Sequence, residues 1–183
     1  FEKANEEDVL FPGAQMNSPY ADAENTRLKL EHQFTQGALR SLKVEAYKSD
    51  VIHLMDNSMM SSPSTSDTEG MRIVLDANAA DIDWTFGADM QNNDRTAIAY
   101  MNMNGMAAFS QWPGVSIDQT GIFVEGEKAL TRDDVLKAGM RYDRVEASAS
   151  RAGETFGMAT PASQYAAVNG TAETDSDENN VGG

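Results

Sequence analysis

The chain has 183 residues, a formal net charge of -15 and no cysteine, so disulfides and thiolate metal sites are excluded. The acidity, with no basic patch laced with aromatic residues, argues against a nucleic-acid partner. No run approaches the about 18 apolar residues of a membrane helix, yet the mean hydropathy of -0.48 suits a membrane β-barrel, in which every second strand residue faces lipid.

The first 25 residues combine acidic side chains with Asn, Ser, Pro and Gly, and we predict them to form a loop. They contain neither an initiator Met nor a basic segment followed by an apolar one, which a signal peptide requires. We therefore expect that a signal peptide has been removed or that the sequence starts inside a longer protein.

The first predicted hairpin rises over residues 26–34, turns at 35–37 and returns over 39–54. Alternate residues on its first strand are apolar and polar, which is the period-2 pattern of a strand with two different faces. One face therefore suits lipid and the other suits water. The apolar face carries Leu28, Leu30 and Phe34 on the first strand, and Leu42, Val44 and Ala46 on the second.

Two further hairpins repeat this pattern, one over residues 70–90 with a turn at 78–81 and one over 117–148 with a turn at 127–134. Trp84 lies two residues beyond the first of these turns, where an interfacial aromatic girdle or an ordinary core Trp would lie. The apolar parity of these hairpins contains Met71, Ile73, Leu75, Ile82, Trp84, Phe86, Ala88, Thr120, Ile122, Val124, Leu136, Ala138, Met140 and Tyr142.

The fold class predicted from these patterns is all-β, an antiparallel up-and-down meander of about six strands over residues 26–149. Residues 55–69 and 91–114 are predicted as long loops at the same end as residues 1–25, and 150–183 as an acidic loop. Because single-chain barrels begin at about eight strands, we expect part of a larger transmembrane β-barrel whose long loops are extracellular.

Two segments resemble TonB-dependent outer-membrane receptors. Residues 121–148 are similar to a receptor hairpin in which a short turn leads to a Gly-Leu-Arg-Tyr-Asp type strand, a place held here by 139–143. Residues 42–60 are similar to a strand and loop start of a copper-receptor-like branch. The matching positions there are Glu45, Ala46, Tyr47, Ser49, Asp50, Val51, His53, Met55, Asp56 and Asn57.

The resemblance implies energised uptake of a scarce substrate, with copper or another metal as the candidate, across the outer membrane of a Gram-negative bacterium. It implies a 22-stranded barrel closed by an N-terminal plug, with no required cofactor. The expected partners are outer-membrane lipid, the remainder of the barrel and plug, and the TonB protein. The plug and the TonB-binding box are not recognisable in these 183 residues.

Methionine supplies the candidate metal site. Thioethers are soft ligands that select Cu(I), imidazole accepts either copper ion, and exposed loops otherwise gain little from oxidisable apolar side chains. Alternatively, the methionines pack the loops against the barrel or plug as adaptable filler. The predicted copper-binding set is His53, Met55, Met59, Met60, Met101, Met103 and Met106.

Two other classes of function are weighed against a receptor. An enzyme is disfavoured, because His32 and His53 are the only histidines and no nucleophile, zinc or phosphate motif accompanies them. A soluble or secreted acidic β-domain acting as a binding module would use the same alternation, with the apolar faces of two sheets packed together. The barrel hypothesis and the soluble-domain hypothesis differ in whether other protein covers the apolar face of the strands.

Overall fold

Eight antiparallel strands form one continuous sheet in the described part of the chain, residues 1–11 and 16–183 of a computed structural model. The order of strands in the sheet is their order in the chain, which confirms the predicted all-β up-and-down meander. The elements are β1 (Glu2–Phe11), β2 (Met16–Gln33), β3 (Leu39–Asp56), β4 (Met60–Ala79), β5 (Ile82–Met101), β6 (Ala107–Ala129), β7 (Val135–Ala149), α1 (Pro161–Asn169) and β8 (Ser176–Gly182).

The prediction of about six strands is too low, because segments expected to be loops are strands. Residues 1–25 contain β1 and the start of β2, apart from 12–15, which lie outside the described residues. The expected loops 55–69 and 91–114 are short turns flanked by the ends of β3 to β6. Within them, residues 64–69 and 91–96 are polar on both faces, yet their backbones continue the hydrogen-bonded ladder.

The three short turns at the other end lie close to their predicted positions, at residues 34–38, 80–81 and 130–134. Ala80 and Asp81 form the tightest of them, with φ angles of 55° and 57°. Positive φ at both central residues is the type I′ geometry, whose twist matches that of the flanking strands. The polar turn residues and the alternation of the flanking strands predicted the positions of these three turns.

The predicted acidic loop 150–183 also contains regular structure. Helix α1 follows the N-cap Thr160, whose hydroxyl accepts a hydrogen bond from the backbone N of Ser163 at 3.1 Å, and it ends at Gly170, with φ 77°. Strand β8 then pairs with β7. In the part of the chain that the structure describes, no helix is long and apolar enough to cross a membrane.

The pairing register gathers the apolar parity into rows that cross six strands, because directly paired residues of antiparallel strands lie on the same face. We call three successive rows the apolar band. They are Leu28, Ala46, Met71, Met90 and Thr120; Leu30, Val44, Ile73, Ala88, Ile122 and Tyr142; and Leu42, Leu75, Phe86, Val124 and Met140.

The apolar band is more exposed than the opposite, polar face. Leu28, Ile122 and Met140 are 68%, 60% and 62% exposed. On β7 the polar-face residues Arg141 and Asp143 are half-buried, whereas the band residues beside them are exposed. On β5 to β7 the sheet thus covers its polar face better than its apolar one, the reverse of a soluble protein with a core.

Candidate metal centre

Two methionine-bearing turns meet at the end of the sheet opposite the short turns. One joins β3 to β4 at residues 57–59, and the other joins β5 to β6 at 102–106. The backbone N of Asn102 donates to the carbonyl of Met59 at 2.9 Å. The Asn102 amide also donates to the carbonyl of Asn57 at 2.7 Å and to Asp56 Oδ1 at 3.2 Å. The turns are therefore held together by direct hydrogen bonds.

Each turn is also fixed internally by an asparagine side chain. Oδ1 of Asn57 accepts hydrogen bonds from the backbone N of Met59 and Met60, at 2.9 and 2.8 Å. In the second turn Oδ1 of Asn104 accepts from the backbone N of Met106 at 2.9 Å. Such local side-chain bonds are the usual reason for asparagine in tight turns. These hydrogen bonds fix the backbone conformation of the two turns that carry the methionines.

Four of the seven predicted residues share the polar face of the sheet. His53 and Met55 alternate on β3 and pair with Ser64 and Ser62 of β4. Met60, two residues before Ser62, has the same parity and pairs directly with Met101 of β5. Directly paired residues have Cβ atoms about 4.5–5.5 Å apart. We call His53, Met55, Met60 and Met101 the wall set.

The other three residues lie on the turns themselves, and we call Met59, Met103 and Met106 the tip set. Their exposed fractions are 70%, 88% and 64%. The predicted site is therefore divided into a group on the sheet face and a more exposed group at its edge. The turn-to-turn hydrogen bonds of Asn102 connect the backbones of the two groups.

The donor chemistry of the wall set is one imidazole and three thioethers, which suits a soft cation such as Cu(I) better than a hard one. Among the described residues, no three His, Asp or Glu side chains are grouped to hold a metal ion. His32 takes no part, because it pairs with Leu42 near the other end of the sheet and packs edge-to-face on Phe34, 4.7 Å between ring centroids. No metal-ligating role follows for it.

A small core supports the second turn. Residues 97–99 at the end of β5 are at most 4% exposed, and the segment after β7 folds back beside them with Phe156 5% exposed. The backbone N of Gly157 donates to the carbonyl of Ala107 at 3.0 Å, next to the turn. Nearby, the guanidinium of Arg95 lies 4.6 Å from the Trp112 ring centroid. The turn thus rests on packed structure.

The returning segment carries an ion pair of its own. Arg151 donates two hydrogen bonds to the carboxylate of Glu154, at 3.0 and 2.7 Å. These hydrogen bonds hold the pKa of Glu154 below its ordinary value, with the nearby positive charge adding to the effect. Sequence reasoning did not predict this ion pair, because its role depends on the fold of the segment.

The polar face continues from the wall set toward the short turns as a network of paired charges. Arg141 bonds Asp89 and Asp143, at 2.8 and 2.6 Å, and its guanidinium lies 5.8 Å from the Phe123 ring centroid. The guanidinium of Arg72 lies 5.4 Å from the same ring centroid. This face therefore carries a network of paired charges, as expected for a surface turned away from lipid.

Sequence reasoning missed Asn57 and Asn102 as structural parts of the site. Asn57 carried a local signal, since an asparagine between a strand and a polar turn often caps that turn. Asn102 carried none that identifies its partners, because they lie more than forty residues away, with |i−j| of 45 and 46. The contact exists only because β3 to β6 are neighbours in the sheet.

Comparison with known proteins finds structural similarity and no match by sequence. No family model and no curated protein matches the sequence. Among solved structures, the chain is similar to the copper transporter OprC, with a TM-score of 0.69, 19% sequence identity and coverage of 91% of this chain. The chain spans 27% of the length of that protein. The two share a fold over nearly all of this chain.

Proposed function

We propose that this chain is part of the barrel of a TonB-dependent outer-membrane receptor that takes up a scarce metal, with copper as the candidate substrate. The observation that carries the proposal is the exposed apolar band. Ile122 on β6 is 60% exposed, and Phe86 and Met90 on β5 are 43% and 52% exposed, although both strands are paired on both sides. Lipid is the solvent in which such a face is stable.

The competing soluble β-domain would cover this band with a second sheet or a helix. In the described parts of the chain all strands belong to one sheet, and α1 has no buried residue. The polar face, with Arg141 bonded to two carboxylates, is the better covered one. The arrangement therefore favours a wall between lipid and a polar interior over a sandwich.

Lipid contact is testable by single-cysteine labelling, because the chain has no native cysteine. Ile122→Cys places a bimane probe on the apolar band, and Gln119→Cys places one on the polar face of the same strand. In vesicles of the full-length protein, brominated acyl chains should quench the first probe and leave the second bright. Equal quenching of the two probes would reject the membrane orientation.

Copper is supported by the wall set and by the fold shared with a copper transporter. The test compares the full-length protein with two triple variants. Replacing Met55, Met60 and Met101 by Leu removes three thioethers from the polar face. Replacing Met71, Met90 and Met140 by Leu makes the same chemical change within the apolar band.

We expect the first variant to lose Cu(I) affinity by about tenfold or more, which corresponds to roughly 1.4 kcal/mol. The second variant should bind Cu(I) like the wild type. A competition titration against a Cu(I) chelator measures both. Equal affinities for wild type and the wall-set variant would end the copper hypothesis and favour the reading of these methionines as packing residues.

Dependence on the TonB protein is proposed from the sequence resemblance alone. Copper accumulation by cells that carry the full-length protein should fall when the TonB protein is deleted, while outer-membrane levels of the receptor stay constant. Accumulation that is unchanged by the deletion would contradict energised uptake and leave a passive channel.

A further inference from the structure

One arginine on the polar face of the sheet has no charged partner. Arg95 of β5 is half-buried, and its Nε is buried without a hydrogen-bond partner. Within residues 1–11 and 16–183 no carboxylate lies in ion-pair range of its guanidinium. A partly desolvated charge without a counter-charge costs free energy, so an anion that pairs with it is stabilised there.

Trp112 fixes the position of this guanidinium, which lies 4.6 Å from the centroid of its ring. Stacking on a ring leaves the N–H groups at the edge of a guanidinium available to a ligand. Trp112 pairs with Ala97 of β5, and Ala97 pairs through Ser64 with His53 of the wall set. The strand of His53 is two strand spacings from β5, or about 10 Å. Arg95 is therefore a neighbour of the candidate metal centre.

The polar face around Arg95 carries no carboxylate. The three successive rows that contain Thr68, Ser66 and Ser64 hold only uncharged side chains and Arg95 where they cross β2 to β7 in the described chain. On β5 the nearest carboxylate of this face belongs to Asp89, six residues earlier, or about 20 Å along the strand. A chain with a net charge of -15 thus presents one unpaired cation in this region.

The chemistry of the region suits a carboxylate ligand. Arg141 shows the behaviour of an arginine on this face when carboxylates are near, since it bonds Asp89 and Asp143 at 2.8 and 2.6 Å. The planar fork of a guanidinium matches the two oxygens of a carboxylate. Ser66 pairs directly with Arg95, which places its hydroxyl group beside the same position.

We propose that Arg95 binds a carboxylate group that enters together with the metal. The wall set offers one imidazole and three thioethers, all neutral, so a bound Cu(I) ion keeps its positive charge. At about 10 Å the guanidinium of Arg95 repels that ion, and a carboxylate on Arg95 removes the repulsion.

The carboxylate has two possible sources, a free anion or a molecule that already holds the copper ion. The inference rests on the proposed copper centre, and it adds the chemical class of the group that binds beside the ion. Because the two ligands lower each other's binding cost, each should raise the affinity for the other by the same factor.

The first experiment measures carboxylate binding without metal, from the fluorine NMR line width of fluoroacetate with the full-length protein in detergent micelles. The wild type should broaden the signal, and acetate should sharpen it again. Fluoroacetamide has a similar shape without the charge and should stay sharp. Arg95→Gln should weaken fluoroacetate binding by about tenfold, the size of a lost charge-assisted pair.

Arg72→Gln is the matched control and should bind fluoroacetate like the wild type. Arg72 also lies on the polar face against an aromatic ring, and it makes no ion pair in the part of the chain that the structure describes. Arg95→Lys keeps the charge and loses the planar fork, so it should bind about threefold more weakly than the wild type even if Arg95→Gln fails to fold. Binding by either Arg95 variant that equals the wild type would overturn the site. A wild type that binds no fluoroacetate would also overturn it.

Cu(I) titrations of the same proteins identify the source of the carboxylate. If the anion binds free, acetate should raise the Cu(I) affinity of the wild type by about two- to tenfold and leave Arg95→Gln unchanged. If copper brings it, the wild type should bind the Cu(I) complex of methionine more tightly than that of methioninamide, and Arg95→Gln should bind the two alike. The absence of both effects would overturn binding of the carboxylate together with the metal.

This inference and the proposed copper centre fail in different ways. An unchanged Cu(I) affinity of the wall-set variant rejects the copper centre, whereas the fluoroacetate experiment contains no metal. Equal fluoroacetate binding by the wild type and Arg95→Gln, with Cu(I) affinity still lost in the wall-set variant, rejects this inference alone.

Discussion

The clearest stability prediction compares two adjacent residues of β4. Ile73 lies in the middle row of the apolar band, and Val74 lies on the polar face, two residues before Asp76. A lysine on the lipid-facing side near the bilayer midplane costs about 2–4 kcal/mol. Ile73→Lys should therefore lower the ratio of folded to unfolded protein by about 30- to 1,000-fold.

Val74→Lys introduces the same charge at the same depth, but on the polar face. That face carries the ion pair between Lys43 Nζ and Asp76 Oδ2, which are 3.0 Å apart. Its cost should stay within about 1 kcal/mol, since a surface turned away from lipid is hydrated. Urea titration of tryptophan fluorescence, with the full-length protein folded into vesicles, gives both free energies of unfolding. Equal losses, or a larger loss for Val74→Lys, would refute the assignment of faces.

Three further changes have expected outcomes. Gly87→Ala should cost about 1–3 kcal/mol in the same urea assay, because its Cβ would meet the ring of Phe123, whereas Gly153→Ala has open space around it and should be neutral. Asn102→Ala should raise hydrogen exchange in both methionine turns and leave the short turns unchanged, and a uniform rise would argue against local coupling. Because the pKa of Glu154 is lowered in the folded state, its ion pair stabilises the returning segment at pH values above the ordinary pKa of 4.5. This stabilisation is lost as the pH falls through the lower pKa of the folded state. Exchange there, corrected for intrinsic rates, should rise on acidification in the wild type and not in Glu154→Gln.

Alternation predicted the part of the sheet where the two faces differ in polarity. Leu28 and Leu30 on β2, and Ile122 and Val124 on β6, mark strands that the structure confirms. In the part of β4 beyond the apolar band both faces are polar, so residues such as Ser62 and Ser64 carry no period-2 contrast. Their strand conformation comes from ladder pairing with neighbours, which a single sequence does not display.

Helix α1 was missed for a different reason. Its ends carry readable signals in Thr160, Ser163 and Gly170, but its nine residues have no apolar face, and periodicity is the main evidence for a helix in a sequence. The residues of the candidate site were chosen from the sequence, whereas their arrangement needed the structure. The alternation along β3 could have placed His53 and Met55 on the same face. The proximity of Met60 to Met101 needed the pairing register of β4 and β5.

The length of the strands sets the distance between the candidate metal centre and the apolar band. From Ala46 in the band to Asp56, β3 continues for ten residues, or about 33 Å along the strand. In the proposed receptor, an ion would therefore meet the methionine turns in open water, before it encounters the low-dielectric layer around the band. Reagents that stay outside the cell, such as impermeant chelators or antibodies against the turns, should reach this site in intact bacteria.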